Sequence, residues 1–357
     1  MKFLASKWPA PKSGQAAFPG LTRPRPLPGY SFSFFSAPLV LFVLCSIPAG
    51  ARGPATRTFN ATYVGTIAPL PEGTKRSEIW IPLPSSGPYQ TVSNMKVDAP
   101  FPTTMHRDAA GNTMAHGVVE NRPDLAGREI EIRATYTVAR KEALGPNLAV
   151  ALASSTKGPE NLGEYLKPNK LVPLTPRVRK LAAELAAGKT DAVAKAKAFY
   201  EYLVDNGTYD KTAPGWGRGD SERFCDVKKG NCTDFHSAFM ALARSEGIPV
   251  RFFIGFPLKP EKEGTVPGYH CWAEFWAQGA GWIPVDASDA AKSKEPAKKA
   301  YLFGNLDPDR FDITTGRDLT LSPAQKEGPI NFFIYPYVEA DGRIFTETKI
   351  RLEYRDL

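Results

Sequence analysis

Cys232, His270 and Asp286 are the residues of this chain whose types and spacing could do covalent chemistry. A cysteine attacks as its thiolate, and a thiolate needs positive potential beside it. Asn231 is a good helix N-cap, and Asp234 stands three residues on, as in a capping box with Asp in place of Glu. Cys232 is thereby predicted at the first helical position, where unpaired amides and the positive dipole end favour a thiolate. Residues 268–277 and 282–286 read as a hairpin about a turn at 278–281. His270 and Asp286 then lie on adjacent strands. A carboxylate there can hold one imidazole nitrogen while the other faces the thiol, giving a nucleophile, a general base and acid, and an orienting group. The spacing allows this geometry without requiring it. The plain alternatives are a small buried cysteine and an ordinary hydrogen-bonded strand histidine.

Zinc is the rival chemistry. Cys232 and His236 are four apart on one helix face, and Cys225, His270 and Cys271 could join them. No C-x-x-C pair occurs, however, and neighbours such as His270 and Cys271 point to opposite faces of a strand. The reading is therefore no metal and no cofactor, with His236 a structural residue behind Cys232. Asp307, Asp309 and Asp312 are too weak a pattern for a calcium loop. Cys225 and Cys271 allow a disulfide or two reduced thiols, and spacing does not choose between them. Asp220, Asp226 and Trp216 either line a cleft or serve loop solvation and packing. The oxyanion would be met by the Cys232 amide and one further donor that the sequence does not identify. Trp272, Trp276 and Trp282 recur at strand spacing and read as core.

The elements that must position these groups fall in two halves. Phe59, Ala61, Tyr63, Gly65 and Ile67 alternate with polar residues, as do Ile130, Ile132, Ala134, Tyr136 and Val138. Period-two alternation marks half-buried strands, and shorter ones are predicted at 78–83, 92–97 and 114–120. This is a β-sandwich-like domain over 56–145, with His106 and His116 on its surface. Helical signals begin with Thr175 and Pro176, a cap and a first-turn proline, and stop at Gly188. A second helix spans about 191–206 and ends at Gly207. The 209–230 stretch reads as a long functional loop. The third helix carries Phe235, Phe239 and Leu242 inward and ends at Gly247, and strand 250–256 follows. Residues 331–354 read as a hairpin around Ala340-Asp341-Gly342, closing a sheet edge.

Four blocks carry a resemblance. Lys229-Gly-Asn-Cys-Thr-Asp-Phe-His236, Ala243-Arg-Ser-Glu-Gly-Ile-Pro-Val-Arg251, Gly268-Tyr-His-Cys-Trp-Ala-Glu-Phe275 and Gly281-Trp-Ile-Pro-Val-Asp286 together resemble the core of the transglutaminase-like superfamily. Four blocks in order are far more specific than one motif. The resemblance implies an α+β fold: the β-sandwich-like domain, then a papain-like transglutaminase core over 160–325 with helices packed on an antiparallel sheet, then a C-terminal hairpin over 328–357. It implies Cys232, His270 and Asp286 as a catalytic triad working through a thioester on peptide or isopeptide amides. For an exported bacterial member it implies a peptidase or amidase rather than a cross-linker, with a peptide or protein as substrate. A non-catalytic cell-envelope binding module on the same scaffold is the alternative. The intact set of three residues favours the enzyme.

Composition narrows the class further. The 357 residues are 42% hydrophobic and 23% charged, which excludes extended disorder, collagen and a multi-span membrane protein. The net charge of +8 invites a nucleic-acid reading. Yet Met1–Ala51 holds five basic residues and no acid, so the excess lies largely in that leader. No clustered basic patch of the kind nucleic acid requires occurs elsewhere. The apolar run 37–47 is 11 residues, against about 20 for a membrane span. With Ala49-Gly50-Ala51 after it, 1–51 reads as a signal peptide cleaved after Ala51, with an uncleaved membrane anchor as the alternative. The expected location is periplasmic or secreted.

Overall fold

The computed structural model describes residues 54–120, 122, 124–125, 127–145 and 161–357, which belong to one compact unit. The leader, its apolar run and the cleavage position expected after Ala51 lie outside the described residues. The first half supplies β1 (Thr56–Ile67), β2 (Arg76–Leu83), β3 (Gln90–Asp98), β4 (Thr103–Arg107), β5 (Thr113–Glu120), β6 (Ile130–Lys141) and the short β7 (Ala143–Leu144). A 3-10 turn at Leu162–Leu166 leads to α1 (Pro176–Ala186), α2 (Ala192–Asn206), β8 (Thr208–Tyr209), α3 (Ser221–Val227), β9 (Lys229–Gly230) and α4 (Cys232–Ser245). Then come β10 (Val250–Pro257), β11 (Glu263–Val266), β12 (His270–Ala277), β13 (Gly281–Val285), α5 (Ala287–Lys292), α6 (Pro296–Tyr301), β14 (Asn305–Leu306) and β15 (Arg310–Thr315). The chain ends with β16 (Tyr337–Ala340), β17 (Arg343–Phe345) and β18 (Thr348–Asp356).

The fold is α+β with three main antiparallel sheets. Two have five strands, in the orders β11-β18-β1-β6-β3 and β17-β16-β2-β5-β4. The third, β13-β12-β10-β15, carries the helices of the second half. β6 shows strict alternation, every second residue from Ile130 to Val138 being buried, so the period-two signal is the face of a half-buried strand. The C-terminal segment departs from the expected edge hairpin. β16 and β17 do pair around Asp341 and Gly342 and bring β17 to the edge of one sheet. β18 crosses to the other five-stranded sheet and lies between β1 and β11. Its alternating Ile350, Leu352 and Tyr354 need a buried face, which β1 offers and the hairpin does not.

His116 is also a correction. It is buried against Trp80, with ring centroids 4.8 Å apart, and lies 3.4 Å from Glu78. Leu319, Leu321, Phe333 and Tyr337 pack with Trp80 and Met114 in a second small core, so β5 is covered on both faces and His116 with it.

The helix that matters most is α4. Every residue from Cys232 to Arg244 is buried, not a stripe alone. α1, α2 and α3 pack on one side of it and β12 and β10 on another. A helix enclosed this way holds its N-terminus rigidly. The expected long loop 209–230 contains α3, which Asp220 caps by accepting from the Arg223 amide at 3.1 Å. Asp226 forms an exposed ion pair with Arg177 of α1. Both aspartates therefore serve local structure, while Trp216 is 39% exposed on the loop.

Candidate active site

The three residues singled out by type and spacing meet at the N-terminus of α4. Asn231 caps the helix through Oδ1, which accepts from the Thr233 amide at 2.9 Å, and Asp234 Oδ2 accepts from the Asn231 amide at 2.9 Å. The expected capping box is present, with Cys232 as the first helical residue. Asp234 also accepts from the amides of Gly217 at 2.7 Å and Gly219 at 3.0 Å. One carboxylate thus ties the Trp216 loop to the start of the helix. Gly230 is obligatory beside it, because a Cβ there would lie 2.3 Å from Asp234 Oδ2.

His270 opens β12. Its Nε2 donates to Asp286 Oδ2 at 2.7 Å, and the Cys232 sulfur is near enough on its other side for the two groups to shift each other's ionisation. All three side chains are buried. Asp286 follows β13 and caps α5. Its Oδ1 accepts from Ser288 Oγ at 3.1 Å and the Asp289 amide at 2.9 Å. Arg310, from the start of β15, donates Nη2 to Asp286 Oδ2 at 3.0 Å and to Asp289 Oδ2 at 2.7 Å. Gly255 admits β15 this closely: a Cβ there would lie 1.9 Å from the Phe311 carbonyl oxygen.

Burial penalises every charge here, and the partners decide the outcome. Burial pushes the Cys232 thiol up, but hydrogen bonds from Cys271 and His270 and the charge of His270 hold it well below the usual thiol range. Burial pulls His270 down, but Asp286 and Asp289 raise it to about 10. Burial likewise opposes ionisation of Asp286, and His270 and Arg310 hold it well below the carboxylate range. The favoured state is a thiolate beside an imidazolium anchored on a carboxylate.

His236 lies behind this set. Its Nε2 accepts from the Ala287 amide at 3.2 Å, so its Nδ1–H donates to the Cys232 carbonyl at 2.8 Å. Burial keeps this ring neutral. It links the first turns of α4 and α5, the helices that begin at or next to Cys232 and Asp286.

The set weighed for zinc does not assemble among the described residues. Cys225 lies on α3, a free and buried thiol pushed up to about 11 by burial. Cys271 is also free. Cys271 Sγ lies 3.7 Å from Thr233 Oγ1 and 3.9 Å from His236 Nδ1, so, contrary to the two-faced expectation, both it and His270 meet the start of α4. The group of potential metal ligands that does converge is His270, Asp286 and Asp289. The Arg310 guanidinium already sits on both carboxylates. Asp309 pairs with Arg57 at 2.6 Å and Asp312 with Arg140 at 3.2 Å, while Asp307 lies 3.5 Å from Arg310. Trp272 is core, stacked on Phe253, whereas Trp276 and Trp282 are half-buried.

Arg310, Asp289 and Ser288 were not legible as site residues. Only Asp289 carried a signal, being three residues into a capped helix. Arg310 comes from a strand remote in sequence.

With this geometry described, the likeness to known proteins has a structural meaning. The model of the transglutaminase-like superfamily matches residues 179–287, which hold Cys232, His270 and Asp286. An uncharacterised protein of Haemophilus influenzae is 30% identical over 325 residues, covering 76% of this chain and 83% of that protein. The protein YebA of Bacillus subtilis is 32% identical over 128 residues, 17% of its own length. A candidate cysteine protease from Cytophaga hutchinsonii shares the fold, with a TM-score of 0.56 at 14% identity over 85% of this chain and 91% of that one. The antiparallel sheet packed on a buried cysteine-bearing helix, the match over that segment and the near full-length relative agree, and the chain belongs to the transglutaminase-like superfamily.

Proposed function

We propose that this protein is an exported cysteine enzyme that hydrolyses peptide or isopeptide amides through a thioester. The observation that supports the reading is Cys232 buried at the start of α4 with His270 beside it and hydrogen-bonded to Asp286 at 2.7 Å. The Cys232 thiolate attacks the amide carbonyl carbon, and the oxyanion forms beside the Cys232 amide at the helix start. The His270 imidazolium then donates its proton to the amine as the C–N bond breaks, leaving a thioester. Neutral His270 takes a proton from water, the hydroxide oxygen bonds to the acyl carbon, and the C–S bond breaks to release the acid and restore the thiolate. Asp286 holds the ring and balances its charge through both steps, and Arg310 keeps Asp286 ionised and in place. The resemblance to exported bacterial members favours water over an amine as acceptor. Export is supported by the apolar run 37–47 followed by Ala49-Gly50-Ala51. Among the described residues no helix is long and apolar enough to cross a membrane.

The test is a peptide-amide screen on the purified protein, read by amine release and by incorporation of a labelled amine. Parent protein is expected to release amine, His270→Ala to fall at least about 10²-fold, and Cys232→Ala to reach background. A His270→Ala protein with parental turnover and an unchanged melt would sink the reading.

A further inference from the structure

A pocket of about 500 Å³ lies along the 327–337 segment and β17. Ile330, Phe332, Phe333, Tyr335, Ile344 and Phe345 form its apolar lining, and Glu327 alone among its lining residues carries a formal charge. Two of these rings tie it to the site. Phe332 and Tyr335 pack on Tyr269, with centroids 5.7 and 6.0 Å away. Tyr269 precedes His270, and its hydroxyl lies 3.2 Å from Asn231 Nδ2 and 3.3 Å from Thr233 Oγ1, on the two residues that flank Cys232. The pocket's wall is thus joined through Tyr269 to the helix start that carries the thiol.

The wall is preformed although 331–336 has no regular secondary structure. The buried Arg317 donates Nη1 to Ser237 Oγ on α4 at 2.6 Å and Nε to the Asn331 carbonyl at 3.0 Å. Asn331 Nδ2 donates to the Arg218 carbonyl at 2.8 Å. Thr314 donates to the Phe333 carbonyl, and the Tyr63 hydroxyl to the Ile334 carbonyl at 2.9 Å. Side chains from a loop and two sheets thus fix the irregular segment against the helix that bears Cys232. A largely preformed concavity lined mainly by aromatic and aliphatic side chains is built to take apolar matter. Ile344 is 49% exposed at its rim, more than a hydrophobe of the core would be.

We propose that this pocket is a specificity subsite that receives a large apolar or aromatic side chain of the substrate, next to the amide presented to Cys232. The inference rests on the amide-hydrolase reading and adds to it the class of residue recognised. The occupant follows from continuity with the site and from the lining: a charged side chain would be desolvated among rings with no counter-charge but Glu327.

The experiment uses the full chain and a peptide-amide library varied at one position on each side of the scissile bond. The parent should favour Phe, Leu or Met over Gly by about 10- to 100-fold in kcat/KM at one of these positions. Phe332→Ala should bring the Phe-to-Gly ratio close to one, and Phe332→Leu should restore most of it. Ile344→Asp, at an exposed position where folding is safe, should lower the same ratio about 10-fold or more by placing a carboxylate at the rim. Turnover without an apolar preference, or a preference that neither Phe332→Ala nor Ile344→Asp alters, overturns the subsite while leaving the hydrolase reading intact. If no library member is turned over, the hydrolase reading fails, and binding decides the pocket. N-acetyl-phenylalaninamide should slow alkylation of Cys232 more than N-acetyl-glycinamide does, and Ile344→Asp should abolish the difference. Equal protection by the two amides, or occupation of the pocket by a second copy of the chain at working concentration, overturns the proposal.

Discussion

Cys232 and His270 carry opposite charges because each is the other's counter-ion in a site that admits little water. The consequence is a pH signature that neither residue would have alone. An ordinary thiol, with a pKa near 8.5, loses about 30-fold of its thiolate at pH 7. Cys232 sits well below that range, so its alkylation rate is expected to stay near its plateau from pH 8 to pH 6. Cys225, raised to about 11, and Cys271, raised well above the usual value by burial and by its thiolate neighbour, should stay unlabelled. His270 must be protonated to supply the leaving amine, so kcat/KM should fall as pH rises through about 10. In His270→Ala the alkylation profile should move up toward the ordinary thiol value. Stopped-flow alkylation across this range checks the pair, and a parent profile centred near 8.5 would refute it.

At the scale of elements, Asp286 is a cap as much as an orienting group. The step from β13 into α5 places its carboxylate where Ser288 Oγ, the Asp289 amide, His270 Nε2 and Arg310 Nη2 all donate to it. Judged by volume alone, Asp286→Asn leaves the fold undisturbed. The donor set changes that judgement. The amide keeps one oxygen for four donors and turns its own N–H groups toward them, and it leaves Arg310 buried without full compensation. Breaking a buried pair in this way costs about 3–5 kcal/mol. Asp286→Asn is therefore expected to lower both the melt and kcat, the latter by about 10²-fold or more. Adding Arg310→Met should recover part of the melt and none of the activity, because it removes the stranded charge without restoring the anchor for His270. Thermal melts and kcat on the two variants check this, and an unchanged melt in Asp286→Asn would show that the network does not hold the carboxylate.

For the whole molecule, the last strand is the closure of the fold. β18 pairs with β1 along nine residues and with β11 along four. Its Ile350, Leu352 and Tyr354 are buried. Each such side chain contributes about 1.5–3 kcal/mol when removed from water, and their sum rivals the 5–15 kcal/mol by which whole domains are stable. Ending the chain before Thr348 leaves every proposed catalytic residue in place. It is nonetheless expected to give insoluble or protease-sensitive protein without activity. Soluble yield and limited proteolysis measure this. A truncated protein with the parental melt would mean that β18 is an accessory strand.

The local chemistry was largely written in the sequence. Asn231 and Asp234 declare a helix start through contacts between near neighbours, and the alternation along β6 and the turn between β12 and β13 are equally local. The types and order of Cys232, His270 and Asp286, with the blocks around them, pointed to one family. What the tertiary structure decided was every relation between residues far apart in the chain. Arg310 reaches Asp286 because Gly255 lets β15 approach, and nothing near Arg310 in sequence announces it. Arg317 binds Asn331 to α4 across similar distances. The crossing of β18 out of its hairpin depends on which sheet has a free edge and an apolar face to offer, and the burial of His116 depends on a second layer over β5. Hydrogen-bonding and hydrophobic periodicity act over a few residues and can be read along the chain. Charge compensation and shared burial arise only when segments distant in sequence are packed together.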